Sequence, residues 1–207
     1  MSVTDDRSTA TTVAASPIAD PGPLGLAAFA LTTFLLSAAN AGWMTKASGL
    51  AWLAYAFAYG GIVQLLAGMW EFRNRNVFGA TAFSTYGAFW IGLAIWARLL
   101  FAHPLAATVA NKDLGWVLLA FAIFNTYMLV WSTQLNMAVF GVFLTLEATE
   151  IILFIGFFTG NTGTIKAGGY VGVLTAVVAW YASAASVSIG IGGPLRIPVG
   201  PPLVRRR

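Results

Sequence analysis

The feature that most constrains this chain is the stretch from Tyr59 to Trp90, where two long apolar segments flank one compact turn, Glu71-Phe-Arg-Asn-Arg-Asn76. A chain that leaves a bilayer and re-enters it has this form, so the stretch predicts a helical hairpin of a membrane protein. Gly60, Gly61, Gly68, Gly79 and Gly87 would each cost about 1 kcal/mol against Ala in a water-soluble helix, whereas in lipid they let backbones approach closely. The hairpin is therefore expected inside the bundle. Gln64, Thr81, Ser84, Thr85 and Tyr86 bring polar groups to membrane depth, where each must find a partner or water. They are candidates for lining a pathway.

Composition agrees with this reading. The 207 residues are 58% hydrophobic and 9% charged, too few charges to cover a soluble globule. A length of roughly 20 helical residues is needed to cross the hydrocarbon layer. Six segments meet it: 24–43, 50–70, 77–102, 114–133, 137–159 and 168–191. The expected fold is all-α, with six transmembrane helices in the cell membrane and consecutive helices as antiparallel neighbours. Residues 20–191 form the transmembrane domain, residues 1–19 a Ser/Thr/Ala-rich disordered cytosolic tail and 192–207 a basic cytosolic tail. Asp20 before Pro21 and Pro23 predicts a helix cap.

Counting Lys and Arg near the ends of the spans places Arg7, Arg73, Arg75, Arg196, Arg205, Arg206 and Arg207 on one side. Lys46, Arg98, Lys112 and Lys166 fall on the other. The excess puts both termini in the cytoplasm. Trp43, Trp70, Trp116 and Trp131 near span ends read as interfacial anchors. Small residues at steps of four in the last span, Gly168, Gly172 and Ala176, then Ala182, Ser186 and Gly190, mark packing seams. Sequence leaves open whether these lie within a subunit or between subunits.

The residues exclude most chemistry. The chain has no cysteine and a single histidine, His103, so no metal site or cofactor is expected. No nucleophile with its base stands out, and the chain reads as a non-enzyme. Its net charge of +4 rests on tail arginines rather than a basic face, so no nucleic-acid partner is expected. Glu147 and Glu150 remain. They sit three apart, near mid-span, where a carboxylate costs about 2.5–3.5 kcal/mol and demands a partner, a water-filled cavity or a proton. Arg98 is the one base inside a span, but a depth difference of roughly 12 Å keeps it from pairing with Glu150 directly. The two glutamates are candidates for proton coupling, against the plainer role of a solvated cavity wall.

The runs Tyr59-Gly-Gly-Ile-Val-Gln-Leu-Leu-Ala-Gly-Met-Trp-Glu71 and Asn76-Val-Phe-Gly-Ala-Thr-Ala-Phe-Ser-Thr-Tyr-Gly-Ala-Phe-Trp90 resemble the signature of the acetate uptake transporter family, the succinate-acetate permeases and their fungal relatives. Asp20-Pro-Gly-Pro-Leu-Gly-Leu26 and Asn40-Ala-Gly-Trp43 resemble further motifs of that family. The resemblance implies a homo-hexamer in membrane lipid whose subunits each pass small carboxylates such as acetate, and in some members succinate, with protons as a possible co-substrate. By the same resemblance Phe29, Tyr86 and Leu146 fall at an apolar constriction, with Asn40, Gln64, Thr81 and Thr85 as pathway-lining or substrate-binding candidates. The chain departs from the family at Asp20, where Asn is usual, at Ala39, where His is usual, in the stretch Ser183–Gly190, and at Glu147 and Glu150. The alternative reading is a channel or exporter for small neutral or cationic solutes such as amides or ammonium, which two glutamates would suit. A sensory or scaffold membrane protein is a third.

Overall fold

The structure is a computed structural model that describes residues 18–44, 51–102 and 110–204; His103 and the first seventeen residues lie outside them. Six long apolar helices run through it: α1 (Gly22–Asn40), α2 (Ala51–Arg73), α3 (Val77–Ala102), α4 (Ala110–Ser132), α5 (Met137–Thr159) and α6 (Thr162–Ile191). Each is long enough to cross a bilayer, and the chain is a multi-pass membrane protein. Trp43, Trp70, Trp116 and Trp131 are all exposed at or near helix ends.

The helix ends differ from expectation in ways that local chemistry explains. Asp20 is not the cap: Pro21 holds that position, and the Asp20 carboxylate instead accepts a hydrogen bond from Gly22 N at 2.9 Å. The first helix stops at Asn40 rather than Trp43 because Gly42 takes a left-handed φ of 82° that turns the chain away. The last begins six residues before the expected 168, since Asn161 caps it by accepting from Thr164 N at 3.0 Å. Glu71, expected in the exposed turn, belongs to the final turn of α2 and is fully buried. That turn reverses at Arg75, whose φ is 59°.

Within α2, the eight residues Ala56–Val63 form a π-helical stretch that contains Gly60 and Gly61. Such widened turns belong where a helix must fit a neighbour. A Cβ on Gly60 would meet Thr32 Cβ of α1 at 2.7 Å, and one on Gly61 would meet Ile91 of α3 at 2.7 Å.

Around the bundle the helices follow the order α3, α2, α1, α6, α5, α4. The glycines make most of these seams. Gly68 lies against the Ser84 backbone and Gly87 against Leu65, joining α2 to α3. Gly169 meets the α1 backbone at Asn40 and Ala41, and Gly172 meets Ser37, closing α1 on α6. Gly168 packs on Leu153, and Thr149 and Thr175 share a hydrogen bond at 2.9 Å, joining α5 to α6. The first small-residue stripe of the last span is thus an internal seam.

One pair of consecutive helices breaks the expected pattern. α3 and α4 hardly touch along their backbones. Large rings hold them apart: Phe89 packs at a tilt against Phe121 with centroids 4.6 Å apart, and Tyr86 meets Phe124 at 5.5 Å. The result is an apolar lateral cleft of about 660 Å³ that includes Thr85, Phe89, Trp96 and Val117. Beyond α6 the chain turns back across the α4–α5 turn, where Ala138 N donates to Val199 O at 2.9 Å and Val204 N to Thr133 O at 3.0 Å.

Candidate functional site

Among the described residues, three cavities stand in line in the bundle interior, walled chiefly by α1, α3 and α5. Nearest the ends of these helices is a cavity of about 300 Å³ containing Asn40, Trp52, Trp96, Leu118 and Phe157. It shares Leu36, Asn40, Phe89, Leu118 and Leu153 with a void of only about 40 Å³. Past an apolar plug, near the beginnings of the same helices, lies a third of about 220 Å³ with Asp20, Glu71, Asn76 and Asn136 in its wall. Along α1 the residue order is Gly22, Phe29, Asn40, so the plug stands about 10 Å from the start of a helix roughly 27 Å long.

Phe29, Tyr86 and Leu146 come together at the plug. All three are buried and belong to one apolar cluster; the Phe29 and Tyr86 rings meet edge-on at 5.8 Å. Each comes from a different helix, α1, α3 and α5, and all three also line the small void. Glycines set their spacing: Gly25, one turn before Phe29, leaves just the room that the Phe83 ring takes, since a Cβ there would lie 2.8 Å from it.

Among the polar residues of the void's lining, which include Ser37, Asn40 and Thr149, three carry groups with an unusual feature. Thr33 Oγ1, Trp90 Nε1 and Glu150 Oε2 are buried, line it, and have no hydrogen-bond partner. An unpartnered buried polar atom costs free energy, so three around one space are a reason to look for a ligand. Two of them can donate; the third is a carboxylate oxygen.

Behind the plug runs a polar chain. Tyr86 OH lies 3.1 Å from Asn125 Oδ1 and 3.3 Å from Glu150 Oε1 and can donate to either. Asn125, fully buried, donates through Nδ2 to Phe143 O at 2.9 Å and to Glu147 Oε2 at 2.7 Å. Thr126 Oγ1 lies 2.8 Å from Glu147 Oε1. The two glutamates therefore do not face the same space. Glu150 turns into the void, whereas Glu147 turns toward α4, and Asn125 with Tyr86 connects them. Asn125 was absent from the sequence reading. Its signal is the polar pair Asn125-Thr126 in the middle of a largely apolar span.

The other candidates separate. Asn40 lines both the large cavity and the void. Gln64 is buried where α2 packs, with its Oε1 unpartnered, and borders none of the three cavities. Thr81 is half-buried on α3 and also borders none of them. Thr85 opens on the lateral cleft rather than the interior. Arg98 is exposed in a shallow apolar groove beside Phe57 and Leu99, away from Glu150.

A polytopic helical bundle whose core is a file of cavities interrupted by one apolar plug is the architecture of a membrane transport protein. The comparisons with known proteins agree. The model of the GPR1/FUN34/yaaH family matches residues 5–199, and the chain belongs to that family. It is 41% identical over 201 residues to acetate permease A of Emericella nidulans, covering 90% of this chain and 67% of the relative. Ammonia transport outward protein 2 of Saccharomyces cerevisiae is 38% identical over 82% of this chain and 62% of its own length. The chain thus spans about two thirds of these fungal relatives. The succinate-acetate/proton symporter SatP of Escherichia coli is 33% identical, with 88% of this chain and 96% of SatP matched. Among solved structures, that of the bacterial acetate channel SatP superposes with a TM-score of 0.78 at 34% identity, covering 88% of this chain and 99% of that one.

Proposed function

We propose that this protein passes small monocarboxylates, acetate first among them, across the cell membrane through the file of cavities. The observation that carries the reading is the set of orphaned groups at the void. Thr33 and Trp90 offer donors to a carboxyl group, and Glu150, when it carries a proton, offers a third. A space of about 40 Å³ takes a carboxyl-sized group and little more. Phe29, Tyr86 and Leu146 then act as the sieve, because a second carboxylate would have to shed its water against an apolar wall with nothing to replace it. Proton transfer through Glu150, with Glu147 joined to it by Asn125 and Tyr86, would couple uptake to a proton gradient. Similarity to acetate permease A and to SatP supports the substrate class and the use of protons. Both termini lie in the cytoplasm in this reading, and the assembly is a homo-hexamer.

A second reading has one observation in its favour. Glu150 Oε2 could accept from a small cation or amide, and one relative is named for ammonia transport. Counterflow of labelled acetate, urea or an ammonium analogue, each into proteoliposomes preloaded with the same solute unlabelled, separates the two. Exchange with acetate alone is expected. Exchange driven by ammonium or urea but not by acetate would replace the carboxylate reading with the second.

A further inference from the structure

Helices α3, α4 and α5 meet behind the plug at Asn125, which is fully buried, and the chemistry of its neighbours fixes which way its carboxamide faces. Phe143 O, 2.9 Å away, is a backbone carbonyl that only accepts, so the atom facing it is Nδ2. The second hydrogen on that nitrogen goes to Glu147 Oε2 at 2.7 Å. Turned the other way, the amide would set Oδ1 against two acceptor oxygens. Oδ1 therefore faces Tyr86 OH at 3.1 Å, and that hydroxyl also lies 3.3 Å from Glu150 Oε1. A single phenolic hydrogen serves one of these two acceptors at a time.

The chain from Glu150 to Glu147 thus carries hydrogen bonds but not protons. A hydroxyl or carboxyl group takes a proton on one lone pair and releases another. A carboxamide with both N–H groups committed to acceptors could do so only by becoming an imidic acid, a tautomer far above the amide in energy. Among the described residues no other hydrogen bond joins the two carboxyl groups. They also differ in what they leave free. Both Glu147 oxygens are engaged, with Asn125 Nδ2 and with Thr126 Oγ1, and Glu147 lines none of the three cavities. Glu150 Oε2 has no partner and belongs to the wall of the void. Apart from Tyr86, the titratable groups packed nearby are Glu147 itself and, on α4, the exposed Tyr127; α1 and α6 bring hydroxyl and amide groups, Thr33, Ser37, Asn40 and Thr175.

We propose that Asn125 is a positioning residue that interrupts the proton path, so that Glu150 alone carries the proton coupled to transport while Glu147 ties α4 to α5. The inference rests on the carboxylate reading above. A proton arriving through the file of cavities adds to Glu150 Oε2. Tyr86 then turns its hydrogen from Glu150 Oε1 to Asn125 Oδ1, and turns it back when the proton leaves Glu150 for water on the far side. Asn125 gives the Tyr86 hydroxyl an acceptor while Glu150 is protonated, and passes nothing further.

The test uses the whole protein in proteoliposomes and measures acetate uptake with and without an inward proton gradient, beside acetate counterflow at equal pH. Glu150→Gln should lose the stimulation by the gradient, and Glu147→Gln should keep the parent's ratio. If Glu147→Gln loses the stimulation while counterflow persists, the relay runs past Asn125 and this inference fails while the carboxylate reading stands. A parent that exchanges acetate but gains nothing from the gradient overturns it in the same way, whereas a parent without acetate counterflow removes the carboxylate reading itself. Should Glu147→Gln fold poorly, Asn125→Asp provides the second measurement. A carboxyl group at that position can take and release a proton, so a second titrating step should enter the pH profile of uptake. A purely structural role would change the rate and leave the shape of the profile alone, and that result counts against the inference.

Discussion

At the scale of single residues, the plug and the polar chain behind it make separable predictions. Leu146→Ala or Tyr86→Ala enlarges the aperture and should raise the succinate-to-acetate uptake ratio by about tenfold, equivalent to about 1.4 kcal/mol of discrimination. Uptake competition at matched membrane levels checks this, and an unchanged ratio in both variants would remove the ring from its role as sieve. The glutamates are tested by the double change Glu147→Gln and Glu150→Gln. Its acetate uptake should no longer respond to an inward proton gradient, whatever the absolute rate. A parent-like response would leave the pair as cavity wall. Tyr86→Phe keeps the ring but deletes the hydroxyl that reaches Asn125 and Glu150, at a cost of about 1 kcal/mol in thermal stability.

At the scale of helices, the seams explain why so many glycines sit in one bundle. Gly68 lies so close to Ser84 that any Cβ would overlap its backbone nitrogen, at 2.6 Å. Gly68→Val should therefore cost about 1–3 kcal/mol as overpacking, read as a lower melting temperature in detergent. Gly172 carries the same argument into the question of assembly. Because its neighbours are Ser37 and Thr149 of the same chain, Gly172→Leu should lower stability while leaving the native mass of the surviving protein unchanged. Dissociation without loss of thermal stability would mean that this stripe also serves a subunit contact. The π-helical stretch of α2 belongs at this scale as well. Within it Gly60 reaches Thr32 of α1 and Gly61 reaches Ile91 of α3.

At the scale of the whole molecule, two properties proposed for the protein lend themselves to direct measurement. A homo-hexamer should dominate native mass spectra in mild detergent, and a monomer that still transports after reconstitution would contradict it. Orientation can be read by cysteine labelling, which the absence of native cysteine makes clean. Gln134 and Thr162 are exposed at opposite ends of α5. With the termini inside, Thr162→Cys should react with an impermeant thiol reagent added to intact cells, while Gln134→Cys should not. The reverse pattern would invert the topology.

The number of spans, their approximate ends and their helical nature follow from the sequence alone, because crossing hydrocarbon is a requirement on each segment separately. The meeting of Phe29, Tyr86 and Leu146 was foreseen through family resemblance and not through spacing, since the three lie on different helices. What depends on packing was not legible. Glu71 looked like part of a charged turn and is fully buried; Glu147 and Glu150 looked like a pair on one face and point to different partners; Gln64, Thr81 and Thr85 looked like pathway residues and border none of the three interior cavities. Only the tertiary structure decided these, because the direction a polar side chain takes in a membrane bundle depends on which neighbouring helix presents a gap or a partner. That neighbour is often distant in sequence, as α6 is to α1.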